Sequence, residues 1–230
     1  MPETQRIDAR RRAAIAGALG VTALRSVAAA PATGLALPAP DRNGGMALTQ
    51  ALLRRRSVRH YGPQPLALRD LSQLLWAAQG NTASGGRRTA PSAGALYPLE
   101  LHLVAARVQG LAPGVHRYLP AAHALQGPDA VATASTLART AAGQPAVAAA
   151  AAVLVIAAVD ERSARKYGSR AARYVAFEAG AAAQNLALQA AALGLGVVVI
   201  GGFDDGAVAR ALQLPAGERP VVMLPIGAPA

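Results

Sequence analysis

The run AAVLVIAAV, residues 151–159, restricts the fold of this chain more than any other feature. Nine apolar residues without a polar break leave no side for solvent, which is the pattern of a strand covered on both faces. VVVIGG (197–202) and PVVMLPIG (220–227) read as two more buried strands, with a helix in DDGAVARAL between them. LELHLVAA alternates enough for a half-buried strand, and VHRYL, after Pro113-Gly114, forms another. Helical spacing marks MALTQALLRRRS from Met46, with Thr49 as a start signal, and LRDLSQLLWAAQG, which stops at Gly80. A long helix is expected over roughly 169–193, ending at GLG. Helices on both sides of a small mixed sheet make the expected class α+β, in a single domain over 46–230 without internal repeats.

Composition narrows the chemistry. Of 230 residues, 53% are hydrophobic and 3% aromatic, with much alanine, which favours a close-packed protein over disorder. The absence of cysteine excludes disulfides, thiolate metal sites and cysteine nucleophiles. His60, His102, His116 and His123 stand on separate segments without metal-ligand spacing, so no metal is expected. The formal charge of +11 raises the question of nucleic acid, but the arginines are dispersed and no nucleic-acid motif accompanies them. No nucleic-acid partner is therefore expected.

Residues 1–32 read as a targeting segment. Arg10, Arg11 and Arg12 precede a mildly apolar run that ends in small residues at APA, 30–32. The paired arginines resemble a twin-arginine export signal, which implies a periplasmic or exported protein; the alternative is an arginine-rich tail on a cytoplasmic one. Residues 13–24 are too few to span a bilayer, so stable membrane insertion is not expected. Residues 33–45, rich in proline and glycine, read as a linker.

Three short stretches carry possible chemistry. RRRSVR, 54–59, offers guanidinium forks suited to phosphate, or it complements the dipole at a helix C-terminus. APSAGALYP, 90–98, lets the main chain approach a flat ligand closely, or it is a plain loop before a strand. VIGGF ends a strand on Gly201-Gly202, presenting backbone amides or simply turning. No dinucleotide fingerprint or phosphate loop occurs. Lys166 is the only lysine among 23 basic residues, and it directly precedes Tyr167. Unlike arginine, a lysine can trade a proton when partly buried.

In their order, ALLRRRSVRHYG, LSQLLWAAQG, PSAGALYPLELHLV, GVHRY, FEAGAAAQNLALQAAALGLG and IGGF resemble the nitroreductase superfamily of flavin enzymes. Within it they are most similar to the SagB-type, azoline dehydrogenase-like branch, over about residues 48–227. The resemblance implies an α+β homodimer with FMN in clefts at the subunit interface. It implies that Arg55, Arg56, Ser57 and Arg59 hold the FMN phosphate and ribityl chain. Ser92, Ala93, Gly94 and Ala95 would come from the other subunit, beside the flavin pyrimidine. Gly201 and Gly202 would lie against the isoalloxazine ring. Many family members carry lysine where Arg59 stands and asparagine where Ala95 stands. Lys166 and Tyr167 match a pair linked to proton removal during azoline oxidation. The implied function is hydride transfer between flavin and a small or peptide-derived substrate, with an unidentified electron partner. An NAD(P)H-dependent nitro or quinone reductase and a non-catalytic flavin-binding protein are the alternatives.

Overall fold

The computed structural model describes residues 34–43, 45–129 and 132–230. The expected signal segment, 1–32, lies outside them. The elements run in order β1 (Leu35–Ala36), α1 (Leu48–Arg54), α2 (Leu68–Gln79), β2 (Leu99–Ala105), β3 (Gly114–Leu119) and β4 (Ala124–Gln126). There follow α3 (Ala134–Thr140), α4 (Pro145–Ala148), β5 (Ala152–Val159), α5 (Asp160–Tyr167), α6 (Ala171–Ala192), β6 (Gly196–Val197), α7 (Asp205–Leu212) and β7 (Glu218–Gly227). Seven strands form one sheet in the order β1-β4-β3-β2-β5-β7-β6.

The uninterrupted apolar run becomes β5, between β2 and β7, and residues 152–158 are fully buried. Ala152, Leu154, Ile156 and Ala158 join the core under α2 and α6, while Val153 and Val155 join the core under α3, α4 and α7. Two covered faces account for the lack of alternation. Each fully buried Leu or Ile here contributes about 1.5–3 kcal/mol.

The fold class stands as α+β, but the sheet is not mixed. All pairings between named strands are antiparallel; among the described residues, parallel contact occurs only at the isolated bridges Ser57–Val197 and Leu66–Val108. The long excursion through α5 and α6 returns the chain so that β7 runs against β5.

VVVIGG is also not one buried strand. Only Gly196–Val197 pairs regularly, and Val199 is 51% exposed. The pairs Val197–Ile226 and Ile200–Met223 lie in one register, and of the two β7 positions between them, Leu224 and Pro225, it is Pro225 that falls next to the Val197–Ile226 pair, opposite Val198. Proline has no N–H to give the ladder, so pairing stops there. The Pro225 carbonyl accepts from the Tyr61 hydroxyl at 2.9 Å instead.

At the N-terminal side, residues read as a linker are partly structured. Leu35–Ala36 adds an edge strand to β4, the Ser72 hydroxyl donates to Pro38 O, and the Asp41 amide donates to the Gln73 side chain. Thr49 lies inside α1, which starts after Ala47 without a side-chain cap. Gly80 ends α2 as expected, for a steric reason: a Cβ there would lie 2.1 Å from the Trp76 ring.

Candidate functional site

The stretch from Ser92 to Ala95 folds into a single 3-10 turn before β2. Gly94 takes φ +61° and Ala95 φ +54°, and the Ser92 hydroxyl accepts from the Tyr97 amide at 2.9 Å. Gly94 has a further reason to lack a side chain. A Cβ on it would sit 2.8 Å from the Tyr167 hydroxyl and 2.9 Å from Lys166 Nζ. The structure thus brings together two groups of residues separated by some 70 positions: the glycine of the turn and the Lys-Tyr pair.

That pair closes α5, a helix to which the sequence reading assigned no element. Gly168, at φ +54° and ψ −131°, breaks α5 from α6 and lets Tyr167 fold back. The Tyr167 ring meets Tyr174 edge-on, centroids 4.7 Å apart. Lys166 itself is exposed, with its Nζ 5.6 Å from the Tyr167 ring centre.

The corner rests on a dense polar base. Arg162 of α5 donates to Tyr97 O at 2.9 Å and pairs with Glu100 at 2.6 Å. Arg117 reaches Glu100 at 2.9 Å and Glu218 at 3.6 Å, and His102 meets Glu218 at 2.7 Å. Burial favours the neutral form of Glu218, but the His102 bond and the charges of His102, Arg117 and Arg162 outweigh it and hold its carboxyl below the ordinary range. Arg88 stacks 4.5 Å over the Tyr97 ring and donates to Gln79.

Sequence reasoning missed Glu178. It is the only acid of α6, it is buried, and it accepts the Ala93 amide at 2.8 Å. Burial pushes its carboxyl up, against the Ala93 amide, Ser92 and Arg88, which favour the charged form. The available signal was a lone carboxylate among alanines at core spacing.

The arginine stretch lies elsewhere. It follows α1, where the Arg56 guanidinium donates to Leu53 O at 2.6 Å and Arg55 O at 2.9 Å, so part of its capacity closes the helix. Arg56, Ser57 and Arg59 are exposed, and Arg55 is half-buried. Ser57 bridges Val197, and the Val58 amide donates to Val197 O. Gly201 and Gly202 are open, with no heavy atom within 4 Å of where a side chain would begin.

These donors suit a planar cofactor with a phosphate tail: guanidinium forks for the phosphate and bare backbone for the ring. They do not all meet within one chain. The Pro98 carbonyl, at the turn, bonds the Val159 amide, and Val159 pairs with Glu218; Ser57 is bridged to Val197, which pairs with Ile226. Glu218 and Ile226 are eight residues apart along β7, a separation on the order of 25 Å. The Ser92–Ala95 turn and the arginines therefore occupy opposite ends of the sheet.

Among the described residues, no cluster of three or more His, Asp or Glu is placed to hold a metal ion, and no helix is long and apolar enough to cross a membrane.

Residues 52–228 match the profile of the family described as the nitroreductase family. The Methanocaldococcus jannaschii protein named "Putative nitroreductase MJ1384" is 43% identical over 180 residues, covering 78% of this chain and 90% of that one. The microcin B17-processing protein McbC of Escherichia coli is 32% identical over 161 residues, covering 65% of this chain and 57% of that one. Among solved structures, the "putative nitroreductase" of Ralstonia eutropha JMP134 superposes with a TM-score of 0.76 at 35% identity, over 85% of this chain and 89% of that one. A chain of the E. coli microcin synthetase McbBCD complex, with truncated pro-MccB17 bound, superposes with a TM-score of 0.66 at 26% identity, over 86% and 79%.

Proposed function

This chain belongs to the nitroreductase family, and from that premise we propose that it is an FMN-dependent dehydrogenase of the SagB type, acting on a small or peptide-derived azoline-like substrate. The observation that carries the reading is the meeting of Gly94 with Lys166 Nζ and Tyr167 Oη at one turn. FMN, when bound, supplies the hydride acceptor. Lys166, as the free amine, takes the proton from the carbon beside the one that loses hydride, and Tyr167 orients the amine by hydrogen bonding. An arginine could not do this, because it does not give up its proton in a protein. The likeness to McbC, a protein named for processing a microcin, supports the peptide-derived substrate class.

Two copies are needed for this site. Arg55, Arg56, Ser57 and Arg59 of one protomer would hold the phosphate, and Gly201 and Gly202 would back the ring. Ser92 to Ala95 of the second protomer would close it, since a single chain holds this turn and the arginines at opposite sheet ends. Leu48, Leu52 and Leu53 on α1, and Phe177 on α6, are more than half exposed, which supports a second copy as their cover. Burial of Lys166 then has to come from the partner, the cofactor or the substrate. Export through a twin-arginine signal in residues 1–32 belongs to the same proposal, and cell fractionation would test it.

The experiment is a visible spectrum and turnover assay of the purified protein and its Lys166→Ala variant. Flavin should be retained and substrate oxidation should fall by about 10²–10⁴-fold. Unchanged turnover would remove Lys166 from the mechanism. A second reading, an NAD(P)H-dependent nitro or quinone reductase, draws on the name of the 43% identical relative. Bleaching of bound flavin by NADPH, followed by its reoxidation with a quinone, would favour it.

A further inference from the structure

The buried face of α6 is built from Ala171, Val175, Ala179, Ala182, Ala183 and Leu186, with one carboxylate among them, Glu178. A charge taken out of water onto an alanine face costs stability unless its partners repay it. Among the described residues its one backbone donor is the Ala93 amide, at 2.8 Å, in the turn whose Gly94 lies against Lys166 and Tyr167. Seven residues on, two helical turns along the same side, Asn185 donates to Thr89 O at 3.3 Å. Helix α6 therefore grips the 89–93 stretch at two points, and α5 grips the chain four residues further on through Arg162 and Tyr97 O.

We propose that Glu178 is a positioning residue: its carboxylate fixes the Ser92–Ala95 turn through the Ala93 amide, and so sets where Lys166 Nζ and Tyr167 Oη lie. The proposal rests on reading that corner as the functional site. The arrangement serves the site at the expense of the fold. An apolar or amide side chain at 178 would pack the core with less desolvation, yet it would hold the turn less firmly. The raised carboxyl of Glu178 agrees with this, because burial outweighs its partners.

The test uses the full chain with Glu178→Gln and Glu178→Ala, and it exploits the single lysine. Three quantities are read: thermal stability at neutral pH, hydrogen exchange of the Ala93 amide, and the rate at which trinitrobenzenesulfonate labels Lys166. Glu178→Ala is expected to speed Ala93 exchange at least tenfold and to change Lys166 labelling at least threefold. Glu178→Gln keeps an acceptor for the amide, so it should restore labelling most of the way and melt no lower than the natural protein. If Glu178→Ala does not fold, Glu178→Gln alone decides, with Ala93 exchange expected to rise several-fold while the melting temperature holds or rises. Labelling of Lys166 that ignores both variants, or a Glu178→Gln protein that loses stability with unaltered Ala93 exchange, overturns the proposal and leaves Glu178 a fold anchor. None of these readouts needs flavin or substrate. Responsive labelling together with unchanged turnover of Lys166→Ala would therefore sink the catalytic reading and leave the positioning role standing.

Discussion

The two ends of the sheet are built differently. At the Glu218 end, the Ser92–Ala95 turn, α5 and the start of β7 are held by ion pairs and hydrogen bonds, and the space a Gly94 side chain would need is taken by Lys166 Nζ and Tyr167 Oη. At the Ile226 end, Arg56 and Arg59 after α1 are exposed; Gly201 and Gly202, past the Ile200–Met223 bridge, face open space nearer the middle of β7. The first end is braced by contacts within the chain; the second leaves two of its arginines exposed. A rigid turn beside a lysine suits chemistry, which needs atoms held in place. Open guanidinium groups suit capture of a charged tail, for which reach matters more than rigidity.

The sharpest way to break this contrast is Gly94→Ala. The new Cβ meets only the far ends of two flexible side chains, which can swing aside, so the fold should lose about 1 kcal/mol for the positive φ. Displacing Lys166 Nζ and Tyr167 Oη by even 1 Å should cost about 100-fold in turnover. A variant with full activity would show that the contact has no role. At the other end, Arg56→Ala and Arg59→Ala should each weaken FMN binding about tenfold and lessen its salt dependence, with little change in melting. Flavin fluorescence titration at two ionic strengths reads both, and a loss of folding instead would mean that this end is as integral as the first.

The smallest effect is read by pH and lies within the Glu218 end. The carboxyl of Glu218 is held below its ordinary value of about 4.3, so its contribution to stability is present above that value and is lost as pH falls through its folded pKa. Glu178 has the opposite sign: raised by burial, it favours the fold below its ordinary value and opposes it as pH rises through its folded pKa. Urea midpoints of the natural protein should therefore drop as pH falls below the ordinary glutamate value of about 4.3, and Glu218→Gln should flatten that drop. An unaltered acid slope would mean that the ion pairs under the corner contribute nothing net.

What the chain order disclosed was local. AAVLVIAAV announced a strand with two covered faces, the helix read at 169–193 is α6 at Ala171–Ala192, and the motif order pointed to the family. These are legible because burial imprints a period, or its absence, on neighbouring residues. The antiparallel direction of the sheet, the stop imposed on β6 by Pro225, and the helix α5 were not, since each depends on where a distant segment returns. Glu178 was hidden for the same reason. A carboxylate in a helix gains meaning only when the fold sets it against an amide 85 positions earlier, and Gly94 only when a lysine and a tyrosine arrive beside it. Local pattern decides what is buried; only the path of the chain decides what the buried and exposed groups meet.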